Sequence, residues 1–176
     1  MDLHPFRQTN PGVGGRKLKI NTKDVALMSI FAALYAALVY AFIPLSFYAL
    51  QFRVAGVLRP AIAKKWVLSI GYAIGVVAGN LFSPFSGPYE LVLMPVVSLI
   101  AGLAGFIVAR RFGGNYFITG AIVAVIVPLG VSWMLNQLLG VPMLATFPYL
   151  LVSEQIVCFV GASIFKFIGI KVKWWE

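Results

Sequence analysis

Charge is scarce in this sequence: Asp, Glu, Lys and Arg together make up 11% of its 176 residues. A soluble domain carries about 25%, so there is too little polar surface to cover a water-soluble globule. The same arithmetic excludes a disordered chain, a coiled coil and a soluble enzyme. Cysteine is nearly absent. Cys158 alone permits no internal disulfide, and its place in an apolar run marks it as a small buried hydrophobe. The one histidine is His4, close to the N-terminus. There is no HExxH, Cys/His cluster, GxSxG or GxxxxGK[ST]. The sequence therefore predicts no catalytic residue, no metal site and no cofactor, and any coupling to ATP has to come from another subunit.

What the chain has is apolar residues, 61% of the total, with a mean hydropathy of +0.94. They fall in long runs, the mark of membrane-spanning helices. A spanning helix needs about 20 residues, so six with short loops nearly fill the chain. The expected fold is an all-α integral membrane protein with six transmembrane helices, the second one short. Residues 1–21 read as a basic cytoplasmic tail, 22–170 as the six-helix domain and 171–176 as a cytoplasmic end. Helices are predicted over 25–43, 66–82, 89–109, 116–139 and 149–168, with Thr22 as the first N-cap and a kink at Pro128. The first run exceeds the roughly 7–15 residues of a signal-peptide core and reads as a retained helix. Stretches 45–51 and 140–148 read as loops. The remaining segment, 52–63, holds Arg53, Arg59 and Pro60. As an α-helix it reaches about 18 Å, short of a hydrocarbon core of about 30 Å. A short arginine-bearing helix belongs against the bundle interior rather than lipid.

The cations set the topology. With the N-terminus inside and six crossings, Arg7, Arg16, Lys17, Lys19, Lys23, Lys64, Lys65, Arg110, Arg111, Lys166, Lys171 and Lys173 all face the cytoplasm. The later outer loops, 83–89 and 140–148, carry no Lys or Arg. Both termini are thus expected inside a multi-pass plasma-membrane protein. The net charge of +9 then reflects topology and lipid headgroup contact, not nucleic acid.

Strongly hydrogen-bonding side chains gather toward the outer side of this topology. Asn80 closes the third helix and Glu90 opens the fourth. Ser132 and Asn136, like Trp133 and Gln137, are i, i+4 neighbours near the outer end of the fifth. Ser153, Glu154 and Gln155 begin the sixth, and Arg53 and Arg59 enter from the same side. Ionisable groups within a membrane are costly and mark functional sites. An outward polar pocket walled by Phe47, Tyr48, Trp133 and Tyr149 would suit a small, flat, hydrogen-bonding solute. Structural readings stand beside each residue. Arg53 can snorkel to headgroups, Arg59 can pair with Glu90 or Glu154, and Glu90 can serve as a first-turn carboxylate. Asn80, Asn136 and Gln137 can bridge helices, and the aromatic residues can form an interfacial belt, as Trp174 and Trp175 do. A small channel or secondary carrier would need a polar path through the inner half. A membrane scaffold would need no cavity.

Small residues recur four apart: Ala32 and Ala36, Ala33 and Ala37, then Gly71, Gly75 and Gly79, then Ala101, Gly105 and Ala109. Such stripes let helix backbones approach closely. The latter two read as internal packing. The alanine pairs read either as packing or as a face for a partner subunit.

The run ALYAALVYAFIPLSFYALQFRVAGVLRP, a third helix ending GNLFSP and a fourth opening with an acidic residue resemble the QueT-type queuosine-precursor transporters. These are substrate-binding S components of energy-coupling factor (ECF) importers. The likeness centres on Gln51-Phe52-Arg53-Val54 and covers 26–106 best. It implies six helices, a transmembrane coupling subunit, two cytoplasmic ATPases and a deazaguanine-like substrate captured from outside. It also implies that Ala32, Ala33, Ala36 and Ala37 meet the coupling subunit, and that 44–51, with Phe47, Tyr48 and Gln51, gates the substrate. A guanine-like edge with adjacent N–H donors would suit Glu90 or Glu154, with Asn80, Asn136 or Gln137 nearby. The chain departs from the family pattern at Ala55-Gly56, where the family continues with Ser-Glu, and the departure bears on substrate identity. Another vitamin-like solute is the alternative cargo.

Overall fold

The computed structural model describes residues 20–47 and 52–175. It is 83% helix, with no strand among the described residues. Helix α1 (Thr22–Ala41) opens with a reciprocal cap. The Asn21 side chain accepts from the Asp24 amide at 2.8 Å, and the Asp24 carboxylate accepts from the Asn21 amide at 3.3 Å. The cap falls on Asn21 rather than the expected Thr22, because only from Asn21 does a carboxylate stand three positions on. Helix α2 (Ile43–Phe47) makes part of the expected 45–51 loop helical. Pro44 sits in its first turn, where a missing amide is tolerated.

A 3₁₀ segment, Val54–Ala63, follows, with Pro60 inside it. At about 2.0 Å per residue it extends about 20 Å. Then come α3 (Val67–Asn80), a π turn (Tyr89–Leu93) running straight into α4 (Met94–Arg111), α5 (Tyr116–Leu139) and α6 (Met143–Lys171). The expected loop at 140–148 is mostly helix. Gly140, in the left-handed conformation at φ 68°, ends α5, and Pro142 with extended backbone starts α6. Pro148 is accommodated in the second turn of α6, where the carbonyl it leaves free belongs to Leu144, 91% exposed at the helix start.

Among the described residues, four helices are long and apolar enough to cross a membrane: α1, the π turn with α4, α5 and α6. Of the six spanning helices expected, four have spanning length; the other two positions hold shorter apolar helices, the 3₁₀ segment and α3. The short 3₁₀ segment lies inside the bundle, as its arginines required, in contact with α1, α3, α4, α5 and α6. Irregular backbone at membrane depth survives when protein surrounds it. Its closest neighbour is α6, where Gly161 meets the Val57 carbonyl directly.

Glycine contacts give the helix directions. On α3, Gly71 lies against Met28, Gly75 against Ala32 and Tyr35, and Gly79 against Val39, so α1 and α3 run parallel. Gly105 of α4 meets Thr119 and Gly130 of α5 meets Val97, an antiparallel pair. Gly120 of α5 meets Cys158 of α6 while Tyr116 packs on Phe165, again antiparallel. The starts of α1, α3 and α5 therefore share one end of the bundle with the ends of α4 and α6. That end holds Lys23, Lys64, Lys65, Arg110, Arg111 and Lys171, and Lys65 pairs there with Asp24 at 2.7 Å. The core between the ends is built on Tyr35, Val39, Ile62, Tyr72, Val76 and Met94.

Candidate functional site

Two polar layers interrupt this core. The first lies at the end opposite the lysines. Its origin is local: Pro95 has no amide, and the Met94 amide reaches back five residues to the Tyr89 carbonyl. The Glu90 carbonyl is thereby freed from the helix ladder, and the Asn80 side chain at the end of α3 donates to it at 3.1 Å. The Glu90 carboxylate turns into the bundle, 1% exposed, with Arg53 at 3.8 Å. The Arg53 guanidinium in turn lies over the Phe47 ring, 5.3 Å from its centroid. The Phe52 amide donates to the Leu45 carbonyl at 2.8 Å, clasping the base of the segment expected to gate the substrate. Tyr48 and Gln51 of that segment lie outside the described residues.

This layer is not saturated. Among the described residues, Glu90 Oε2, Asn80 Oδ1, Ser46 Oγ and Ser132 Oγ are buried without a hydrogen-bond partner. Unpaired acceptors in an apolar interior cost about 1–3 kcal/mol each. They are also ready to accept N–H donors.

The second layer is deeper. Arg59, fully buried, donates to the Glu154 carboxylate and, at 3.3 Å, to the Tyr35 hydroxyl. Its guanidinium lies 5.3 Å from the centroid of the Tyr72 ring. Of the two partners open to Arg59 from sequence, Glu154 is the one it takes. Glu154 was expected near the outer start of the sixth helix. Because α6 begins at Met143, Glu154 stands about three turns in, and Arg59 meets it near the bundle middle.

The remaining predicted residues are not gathered with either layer. Trp133 is 41% exposed and packs edge-on against Tyr89, with centroids 5.8 Å apart. Asn136 donates to the Val141 carbonyl just past the end of α5, and the exposed Gln137 donates to Asn136. The alanine pairs divide: Ala32 and Ala36 are buried, Ala32 against Gly75 of α3, whereas Ala33 and Ala37 are exposed. Sequence reasoning passed over Tyr35 and Tyr72, since a tyrosine in an apolar run carries no sign of whether its hydroxyl meets a buried cation.

Comparison with known families decides what this bundle belongs to. The QueT transporter family model matches residues 25–169. The chain belongs to the QueT transporter family. It is a multi-pass plasma-membrane protein of a transporter family. The matched span runs from the first turn of α1 through all but the last two residues of α6, and so contains both polar layers and the divided alanine pairs. No curated protein and no solved structure matches the chain.

Proposed function

We propose that this QueT family protein is the substrate-binding S component of an ATP-driven ECF importer. It captures a deazaguanine-like queuosine or archaeosine precursor from the external side, and works with a transmembrane coupling subunit and two cytoplasmic ATPases. In this reading the chain crosses the membrane six times, with both termini in the cytoplasm. The observation that carries the ligand assignment is the unsaturated layer of Arg53, Asn80 and Glu90 beside Phe47. Glu90 Oε2 and Asn80 Oδ1 are two buried acceptors without donors among the described residues, the complement of a purine-like edge that offers adjacent N–H groups. Arg59 and Glu154 hold the bundle together beneath it. The exposed pair Ala33 and Ala37 suits the coupling subunit, while Ala32 and Ala36 are already buried within the bundle.

Ligand-induced stabilisation of the purified protein tests this. At 100 times its dissociation constant a ligand adds about 2.7 kcal/mol. Unfolding should shift upward with one deazaguanine, and Glu90→Gln should abolish the shift while leaving the unliganded protein folded. A shift with a different vitamin-like compound would replace the cargo. Silence across deazaguanines, guanine and vitamins would overturn the S-component reading in favour of a channel or scaffold.

A further inference from the structure

Away from both polar layers, a cavity of about 300 Å³ opens at the basic end of the bundle. Lys64 and Lys166 line it, together with the Gly113-Gly114 turn, Asn115 and Phe117. The Lys64 ammonium sits 4.9 Å from the ring centroids of both Tyr116 and Trp175, and Lys166 lies 5.8 Å from that of Phe117. No carboxylate lines the cavity. The three carboxylates among the described residues are engaged elsewhere: Asp24 with Lys65, Glu90 with Arg53 and Glu154 with Arg59. Two cations converge on one cavity with aromatic rings beside them and, among the described residues, no carboxylate to balance them.

The same side of the molecule continues as apolar surface. Phe159 precedes Lys166 by seven residues, two turns and about 10 Å along one face of α6. Its ring packs on Phe117 at 5.3 Å. Beyond it, Gln155, Ile156, Phe159 and Val160 line a shallow groove of about 340 Å³. A dibasic cavity joined along a helix face to an apolar groove has the chemistry of a phospholipid, with phosphate at one end and acyl chain at the other. We infer that Lys64 and Lys166 hold the phosphate of an anionic phospholipid whose acyl chain lies along α6 past Phe159. Its assignment to the cytoplasmic leaflet rests on the orientation proposed above; the binding itself does not.

Native mass spectrometry of the full chain in mild detergent reads the number of lipids retained. With phosphatidylglycerol and phosphatidylcholine of matched acyl chains, one phosphatidylglycerol should be kept in preference. Each lysine at an anionic surface contributes about fivefold, so Lys166→Gln should weaken retention about fivefold, and Lys64→Gln with Lys166→Gln about 25-fold. Arg110→Gln, at the same end but outside the cavity, should change little. Lys166 is exposed, so its loss leaves the fold intact, and Lys166→Arg should restore retention. Equal retention of both lipids, or equal loss in Arg110→Gln and Lys166→Gln, overturns the inference. So does displacement of the lipid by millimolar inorganic phosphate, which would make free phosphate the ligand. Lipid counting is blind to transport cargo, so a failed substrate assignment leaves this result untouched.

Discussion

Arg59 exposes no surface, and the anion beside it is Glu154. Burying two charges costs several kcal/mol per ion, and their attraction offsets this only when the geometry is good and further hydrogen bonds are made. Tyr35 supplies one such bond, and the Tyr72 ring face adds a cation–π contact. The same crowding accounts for Gly56. A Cβ there would come within 3.0 Å of both Arg59 Nη1 and Val157 Cγ1, so the guanidinium occupies space that a larger residue at 56 would need. A residue larger than glycine at 56 would have to displace Arg59 or Val157. Removing one partner strands the other. Glu154→Gln should lower stability by about 3–5 kcal/mol, read as an earlier unfolding midpoint by tryptophan fluorescence in detergent. Arg59→Met combined with Glu154→Leu should recover most of that loss, because no buried charge is then left unpaired. If Glu154→Gln unfolds with the parent protein, the pair contributes nothing to holding the bundle.

At the scale of elements, the 3₁₀ segment depends on how closely α6 approaches it. Gly161 makes that approach possible: a Cβ there would meet the Val57 carbonyl carbon at 2.8 Å and its Cα at 2.9 Å. Both obstacles are backbone and cannot rotate away. Gly161→Ala should therefore push α6 from the segment and cost about 1–3 kcal/mol. Gly87→Ala, whose added carbon would meet only the Phe85 carbonyl oxygen at 3.7 Å, should stay within about 0.5 kcal/mol. Comparable unfolding midpoints for the two variants would remove the close-packing account. Helix existence was legible from hydropathy, and the expected 116–139 matches α5 from end to end. The errors arose at prolines. The stretches read as loops, 45–51 and 140–148, respectively follow Pro44 and end at Pro148, yet Pro44 sits in a first turn and Pro148 in a second, where few ladder bonds depend on them. Misplacing the start of α6 also misplaced Glu154, which is why a single expected pocket resolves into two layers. Hydropathy does not distinguish 3₁₀ from α backbone. Nor does it reveal the π turn, which depends on Pro95 and on the reach of Asn80. The polar residues were visible in the sequence, but their depth depended on helix boundaries that composition sets only loosely.

For the whole molecule, charge and packing agree on polarity. Every described cation except Arg53 and Arg59 lies toward one end, and the parallel pairing of α1 with α3 brings Lys23 and Lys65 to that end despite the long stretch of chain between them. Cytoplasmic loops collect Lys and Arg because translocating them is unfavourable. The basic end is therefore expected to face the cytoplasm and the Arg53–Glu90 layer the outside. This arrangement also gives α3 a defined role. Its 14 residues extend only about 21 Å, yet it has to carry the chain from Lys65 to the far side, screened by α1 and α4. Single cysteines test the polarity in a Cys158→Ala background, since Cys158 is buried. In intact cells an impermeant maleimide should label Gly87→Cys, in the turn between α3 and α4, without further treatment. Gly113→Cys, between α4 and α5, and Lys173→Cys, past α6, should react only after the membrane is opened. Labelling of positions 87 and 113 from the same side would mean that α4 does not cross. Labelling of 113 alone from outside would invert the molecule, leaving the polar layers intact but turning the unsaturated one toward the cytoplasm, where it could not capture an external solute.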